Sequence, residues 1–247
     1  MNMKKIAFYL LLTGLFSFSS CSLFELDNYD APSETLKGEV VDIATGEPVL
    51  TDQGSEGIRI RLTETSYGDN VTPNSDFYCN PDGTFQNTKL FKGTYNIRLD
   101  GPFIPLIRED SRGVPIANET LNMEIKGVTE VKIEVQPFLN VEWVSEPSVS
   151  NGKVTAKIRV TRGVSDADFK AKIEPMGSYS SSFLNVTDIQ LFVSYSSTVG
   201  YRARDERWSN KIEYTGSDFN SLIGQVITIL QLVVVLVVGI IMIQGKL

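Results

Sequence analysis

The sequence predicts an all-β protein built from two consecutive antiparallel β-sandwich domains. Three observations carry this: apolar and polar residues alternate with period two in both halves of the chain, Gly, Asn, Asp and Pro punctuate those runs, and no stretch shows a convincing amphipathic helical period. Successive side chains of a strand point to opposite faces, so the alternation describes sheets wet on one side and buried on the other.

In chain order, residues 1–20 read as a signal peptide. Lys4 and Lys5 form a basic start, and Ile6 to Phe16 supply an apolar run too short for a comfortable membrane span. Ser17-Phe18-Ser19-Ser20-Cys21 then resembles the lipobox of bacterial lipoproteins, with Phe18 where Leu is more usual. The resemblance implies cleavage before Cys21 and lipidation of that residue. The other reading is an ordinary cysteine behind a conventional cleavage site. Each buried methylene contributes about 0.8 kcal/mol, so several acyl chains on Cys21 would anchor the protein permanently to a lipid bilayer. Residues 21–33, polar and acidic through Glu25, Asp27 and Asp30, form the tether.

About 225 of the 247 residues remain after cleavage, enough for one or two ordinary domains. The chain carries a net charge of −7 and no histidine. Lacking histidine, it has neither the usual base of a nucleophilic triad nor the commonest transition-metal ligand, so no metal or other cofactor is expected. An acidic chain without a basic block gives no footing for nucleic acid. Cys79 is the only other cysteine and reads as a small packed side chain rather than a reactive thiol.

The first domain is expected over residues 34–137. Ile58, Ile60 and Leu62 alternate with Arg59, Arg61 and Thr63, Tyr95, Ile97 and Leu99 with Asn96 and Arg98, and Val131, Ile133 and Val135 with Glu130, Lys132 and Glu134. Thr45-Gly46-Glu47-Pro48 reads as a turn, and Asn80-Pro81-Asp82-Gly83 as one that closes a hairpin. Asp76, Asn80 and Asp82 lack the distal Glu of a calcium loop, which favours the plain turn. A boundary falls near Gln136 to Asn140. The second sandwich, residues 138–225, opens with Val141-Glu142-Trp143 and continues through the alternation of Val154, Ala156, Ile158 and Val160. Trp143 reads as core.

Four segments carry a resemblance: LKGEVVDIATGEPV from Leu36, GIRIRLTE from Gly57, NPDGTFQ from Asn80 and KGTYNIRL from Lys92. Together they resemble the carboxypeptidase regulatory-like, transthyretin-type β-sandwich. With DGPFIPLIRED from Asp100 and MEIKGVTEVKIEVQPFLNVEW from Met123, the chain is similar to a family of Bacteroidetes lipoproteins of unknown function, encoded in polysaccharide-utilisation loci beside SusC/SusD-type outer-membrane pairs. The resemblance spans about Leu26 to Gly224. It implies a transthyretin-like first domain, a second sandwich that we take as immunoglobulin- or fibronectin-like, and an outer-membrane accessory lipoprotein at the cell surface expected to bind or present glycans.

Residues 226–247 form an anomalous apolar tail. Val226 to Ile243 is free of charge and, as a helix of about 1.5 Å per residue, would nearly cross a hydrocarbon layer of about 30 Å. Three readings stay open: a truncated or frame-shifted end that leaves the second sandwich incomplete, a membrane helix, or buried strands.

Carbohydrate recognition needs aromatic faces for sugar rings and planar polar groups for hydroxyls. The densest such text is GYRARDERWSNKIEY from Gly200, which nominates Tyr201, Arg202, Asp205, Trp208 and Tyr214 for glycan binding. The competing reading makes Trp208 and Tyr214 core and the charges a solvated turn. Glu109/Asp110 and Asp205/Glu206 do not suggest a glycosidase, because adjacent strand residues point apart. No enzyme is expected. The leading function is thus a noncatalytic glycan-binding accessory of a SusC/SusD-type uptake system, and the alternative a structural, adhesin or assembly subunit that contacts protein neighbours.

Overall fold

The first strand begins at Glu34. The computed structural model describes residues 30–66, 68, 75–177, 179–195, 199–232 and 238–242, by backbone alone from 231 onward. Residues 1–29, which include the expected signal peptide, Cys21 and most of the expected tether, lie outside the described residues. Strands dominate, as the alternation predicts.

The first sandwich comprises β1 (Glu34–Asp42), β2 (Arg59–Glu64), β3 (Ser75–Tyr78), β4 (Thr84–Leu90), β5 (Gly93–Asp100), a small hairpin of β6 (Ile107–Glu109) and β7 (Pro115–Asn118), then β8 (Leu121–Ile125) and β9 (Val128–Val135). Its two sheets run β4-β1-β9 and β3-β2-β5-β8. Leu36, Val40, Phe85 and Ile133 from one face Ile60, Leu62, Tyr95 and Ile97 from the other in a single core. One pair departs from the antiparallel expectation: β1 runs parallel to β9 over eight residues from Thr35/Val128 to Asp42/Val135. Periodicity reports which face is buried, not strand direction, so this pairing has no local signature. The turn at Asn80 to Gly83 forms, with the Gly83 N–H donating to the Asn80 carbonyl at 3.0 Å. It does not close a hairpin, because β3 and β4 belong to opposite sheets; it is the corner by which the chain changes sheet.

Cys79, beside that corner, is 3 % exposed. Burial, with a smaller contribution from Asp82, pushes its thiol up to about 12. We expect Cys79 to resist thiol reagents at neutral pH in the folded protein and to label fully in denaturant, as read by peptide mass; rapid native labelling would contradict this placement.

The second sandwich comprises β10 (Leu139–Ser150), β11 (Lys153–Arg162), helix α1 (Asp166–Ile173), β12 (Asp188–Val193), β13 (Asn210–Glu213), β14 (Val226–Leu232) and β15 (Val238–Met242). Its sheets run β10-β11-β14 and β13-β12-β15. The apolar tail therefore supplies a strand to each sheet, pairing with β11 and with β12. Of the three readings left open for the tail, strands are what the structure shows over Val226–Leu232 and Val238–Met242, and no described helix is long and apolar enough to cross a membrane. Ile227 and Ile229 face the core while Val226 (48 %) and Leu230 (60 %) stay exposed, so apolar residues on both faces masked the strand period. Helix α1 is a second departure. Ser165 caps it, its hydroxyl accepting the Asp168 N–H at 3.1 Å.

From Ser33 on, the chain is one compact unit. A third cluster lies where the sandwiches meet: Ile104 from the first, Val164, Phe169 and Ile173 from the second, with Phe138 and Tyr179 packed against them. Polar links reinforce it. The Asn140 amide donates to Asp42 at 2.8 Å and the Lys172 ammonium to Gln136 at 2.6 Å.

On the outward face of β3-β2-β5-β8, the Arg61 hydrogen bond holds the Asp76 carboxyl below its usual range. Burial at Asp100 opposes ionisation, but the bond from Arg59 and the charge of Arg98 outweigh it. A bond from Arg108 likewise lowers Glu119. Carboxyls depressed in the folded state contribute stability that is present above their unfolded values and lost as pH falls through the folded ones. With no histidine to titrate, unfolding free energy should stay flat between about pH 6 and 8 and fall below about pH 4. Chemical denaturation across that range checks it; a marked change near pH 6.5 would contradict it.

Candidate functional site

β12 is buried on both faces. Ile189, Leu191 and Val193 enter the sandwich core, while Phe192, on the other face, is 2 % exposed. What covers Phe192 is the loop Gly200–Ser209. The Tyr201 ring lies edge-on to Phe192 at 6.2 Å, and the Arg204 guanidinium stacks 4.2 Å from the Tyr201 centroid and 5.8 Å from that of Phe192. Such cation–ring contacts hold an arginine flat without neutralising it.

The loop is closed by its own polar groups. The Asp205 N–H donates to the Val193 carbonyl at 2.7 Å, and the Asp205 carbonyl accepts the N–H groups of Trp208 and Ser209. The Asp205 carboxylate takes the Arg207 backbone N–H at 3.0 Å and its guanidinium at 3.0 and 2.6 Å. That bidentate bond holds the carboxyl below its usual range. Arg207 in turn lies 4.7 Å over Trp208, and Trp208 meets the Tyr195 ring edge-on at 5.0 Å. Two arginine-aromatic stacks thus sit side by side on one loop.

The first sandwich fixes this loop from below. Asp52 is 3 % exposed, and its two oxygens accept the N–H groups of Gln53 at 2.7 Å and of Tyr201 at 2.8 Å. A Cβ at position 200 would stand 2.0 Å from Asp52 Oδ1, so a larger residue there would push the Asp52 side chain from its place. Arg202 reaches Glu56 at 2.6 Å.

Of the residues nominated from sequence, Tyr201, Arg202, Asp205 and Trp208 come together on this loop. Arg202 is committed to Glu56 and Asp205 to Arg207, so both position the loop rather than present free groups. Trp208 is half-buried against the second core, with its ring edge turned to Tyr195. Tyr214 lies apart from the loop: it packs on the core with its ring 4.8 Å from Phe219, and burial raises its hydroxyl. It directly follows β13, outside the Gly200–Ser209 loop, with its N–H donating to the Thr187 carbonyl at 2.8 Å. Sequence reasoning missed Tyr195, at 56 % exposure the most open aromatic of the group. It continues the period of Ile189, Leu191 and Val193, and so reads as core until β12 is seen to end at Val193.

Asp205 and Glu206 each pair with a different arginine of the loop, Arg207 and Arg204. Among the described residues no group of three His, Cys, Asp or Glu side chains could hold a metal.

The family model for the N-terminal domain of DUF3823 proteins, whose function is unknown, matches residues 34–136. No protein of curated function matches the chain. The crystal structure of a DUF3823 family protein from Bacteroides uniformis is 64 % identical, covering 82 % of this chain and 84 % of that one with a TM-score of 0.78. A DUF3823 family protein from Parabacteroides merdae is 19 % identical over 81 % of both chains, TM-score 0.57. A Bacteroides uniformis protein provisionally described as carbohydrate binding is 17 % identical over 81 % of this chain and 80 % of its own, TM-score 0.55, and shares the fold. On the strength of the match at 64 % identity, this chain belongs to the DUF3823 family.

Proposed function

We propose that this protein is a noncatalytic, carbohydrate-binding lipoprotein, anchored through acylated Cys21 to the outer membrane and serving at the cell surface as an accessory of a SusC/SusD-type uptake system. One observation carries the reading. Tyr201 is exposed on the Gly200–Ser209 loop, whose backbone is locked by Asp205 and Asp52, exposed Tyr195 packs against Trp208 of that loop, and arginines stack on Trp208 and Tyr201. Aromatic faces accept the apolar faces of sugar rings, and flat guanidinium groups supply hydroxyl donors without reorganising. The provisional description of the related Bacteroides uniformis protein agrees with this ligand class.

Isothermal titration of the full mature chain against a panel of oligosaccharides tests it. Saturable binding to at least one glycan, with loss of the loop site in Tyr195→Ala/Trp208→Ala, is the expected result, and silence across the panel would overturn the reading. The anchor is checked on the same preparation, whose N-terminus should carry acyl chains on Cys21 by mass spectrometry. A free thiol there would remove the membrane from the account.

A further inference from the structure

We propose that the outward face of the β3-β2-β5-β8 sheet is a second binding surface, for neutral carbohydrate chains, which it reads by a lattice of planar hydrogen-bonding side chains rather than by stacking. The proposal shares the ligand class inferred above but not the site.

The lattice follows from register. β2 pairs Arg59 with Tyr78 and Asp100, and Arg61 with Asp76 and Arg98. Directly paired residues share a face, so all of these point outward, while Ile60 and Leu62 face the core. The next rung continues it, Asn96 lying opposite Thr63 and Asn122 and donating to Asn122 at 2.9 Å. Sheet geometry spaces such groups by about 6.8 Å along a strand and 4.8 Å across, the scale of a single sugar ring.

The side chains hold one another in place. Arg61 grips Asp76 through Nε at 2.9 Å and Nη2 at 2.8 Å, Arg98 Nε donates to Asp100 at 3.0 Å, and Arg59 Nη2 reaches the same carboxylate at 2.7 Å. Yet they remain open to solvent, from 27 % for Arg61 to 40 % for Arg98. A guanidinium has five N–H donors, and Arg61 uses two of them on Asp76. Isolated ion pairs this exposed stabilise a fold little. A locked array with donors to spare is instead preorganised for a ligand rich in hydroxyls, which accept from guanidinium and donate to carboxylate. An anionic ligand would compete with Asp76 and Asp100, on a chain of net charge −7; the internal pairing therefore selects a neutral one. Tyr78, 38 % exposed beside Arg59, offers a single aromatic edge at the end of the row.

The test is titration of the full mature chain with neutral cello-, malto-, xylo- and arabino-oligosaccharides and with oligogalacturonides as the carboxylated comparison. Removing both partners in Arg61→Ala/Asp76→Ala avoids leaving a lone charge. Arg61→Lys keeps the charge, removes the fork and should fold normally by circular dichroism. Both variants are expected to weaken neutral-glycan binding roughly tenfold or more at a site that persists in Tyr195→Ala/Trp208→Ala, with little dependence on salt. Binding abolished by the loop variant and untouched by both lattice variants would overturn this surface while leaving the loop reading intact. Loss in the lattice variants alone would support this surface and displace the loop. Preference for oligogalacturonides would overturn the neutral assignment, and silence toward every glycan would overturn both proposals.

Discussion

Gly38→Val is expected to destabilise the first sandwich by about 3 kcal/mol or more, lowering the thermal midpoint by roughly 6–12 °C. Gly38 lies on the inward row of β1 between Leu36 and Val40, opposite Phe85 on β4 and Val131 on β9. A Cβ there would stand 1.9 Å from the Val131 carbonyl oxygen and 2.9 Å from the tip of the Phe85 ring. Phe85 is 2 % exposed and fills the space a side chain at 38 would need. Trimming the ring in Gly38→Val/Phe85→Leu relieves one clash and leaves the other, because the carbonyl belongs to the parallel ladder and cannot rotate away. The double variant should therefore recover little. Recovery to within about 1 kcal/mol of the parent would show that the carbonyl contact is easily relaxed.

Phe169→Ala should cost about 3–5 kcal/mol and change the manner of unfolding. Phe169 is 1 % exposed, edge-on to Phe138 at 5.7 Å and tilted against Tyr179 at 6.4 Å. It is the centre of the cluster shared by the two sandwiches. While that cluster is intact the sandwiches should melt together in one calorimetric transition. Emptying it should split the transition in two, since what remains between them is chiefly polar: Asn140 with Asp42, Lys172 with Gln136, and the Asp52 and Glu56 contacts to the loop. A variant that loses less than about 1 kcal/mol and still melts in a single step would place the coupling elsewhere.

How much could be read from the chain depended on whether a signal was local. β2, β5, β9 and β11 were legible because each has one wet face, as in Arg59 and Arg61 against Ile60 and Leu62. β12 was not, because all six of its residues are buried, Asp188 and Gln190 included. The tail concealed β14 for the opposite reason, exposing apolar Val226 and Leu230 where polar residues were expected. Two further local signals stand in the chain. Asn151-Gly152, both at positive φ, joins β10 to β11 as a tight hairpin turn, and Ser165 with Asp168 three residues on marks the start of α1. The helix offers only Phe169 and Ile173 to the interior, too few for a helical period to stand out.

The candidate site divides in the same way. Its aromatic and arginine residues are consecutive text, so Tyr201, Arg202, Asp205 and Trp208 could be nominated together. Their supports could not be. Asp52 lies 149 residues from Tyr201 and Glu56 lies 146 from Arg202, and nothing near either acid announces a distant partner. Tyr214 lies apart from them because an aromatic just past a short strand looks the same from the chain whether it faces solvent or core.

The chain has two tryptophans, Trp143 and Trp208, so Trp143→Phe leaves the loop residue as the sole indole reporter. Titrating that variant of the full chain with a glycan whose calorimetric binding persists in Arg61→Ala/Asp76→Ala addresses the claim that the Gly200–Ser209 loop is a recognition site. The account predicts a saturable change in Trp208 emission with the same midpoint as the calorimetric isotherm. Calorimetric binding that leaves the emission unaltered at every concentration would contradict it.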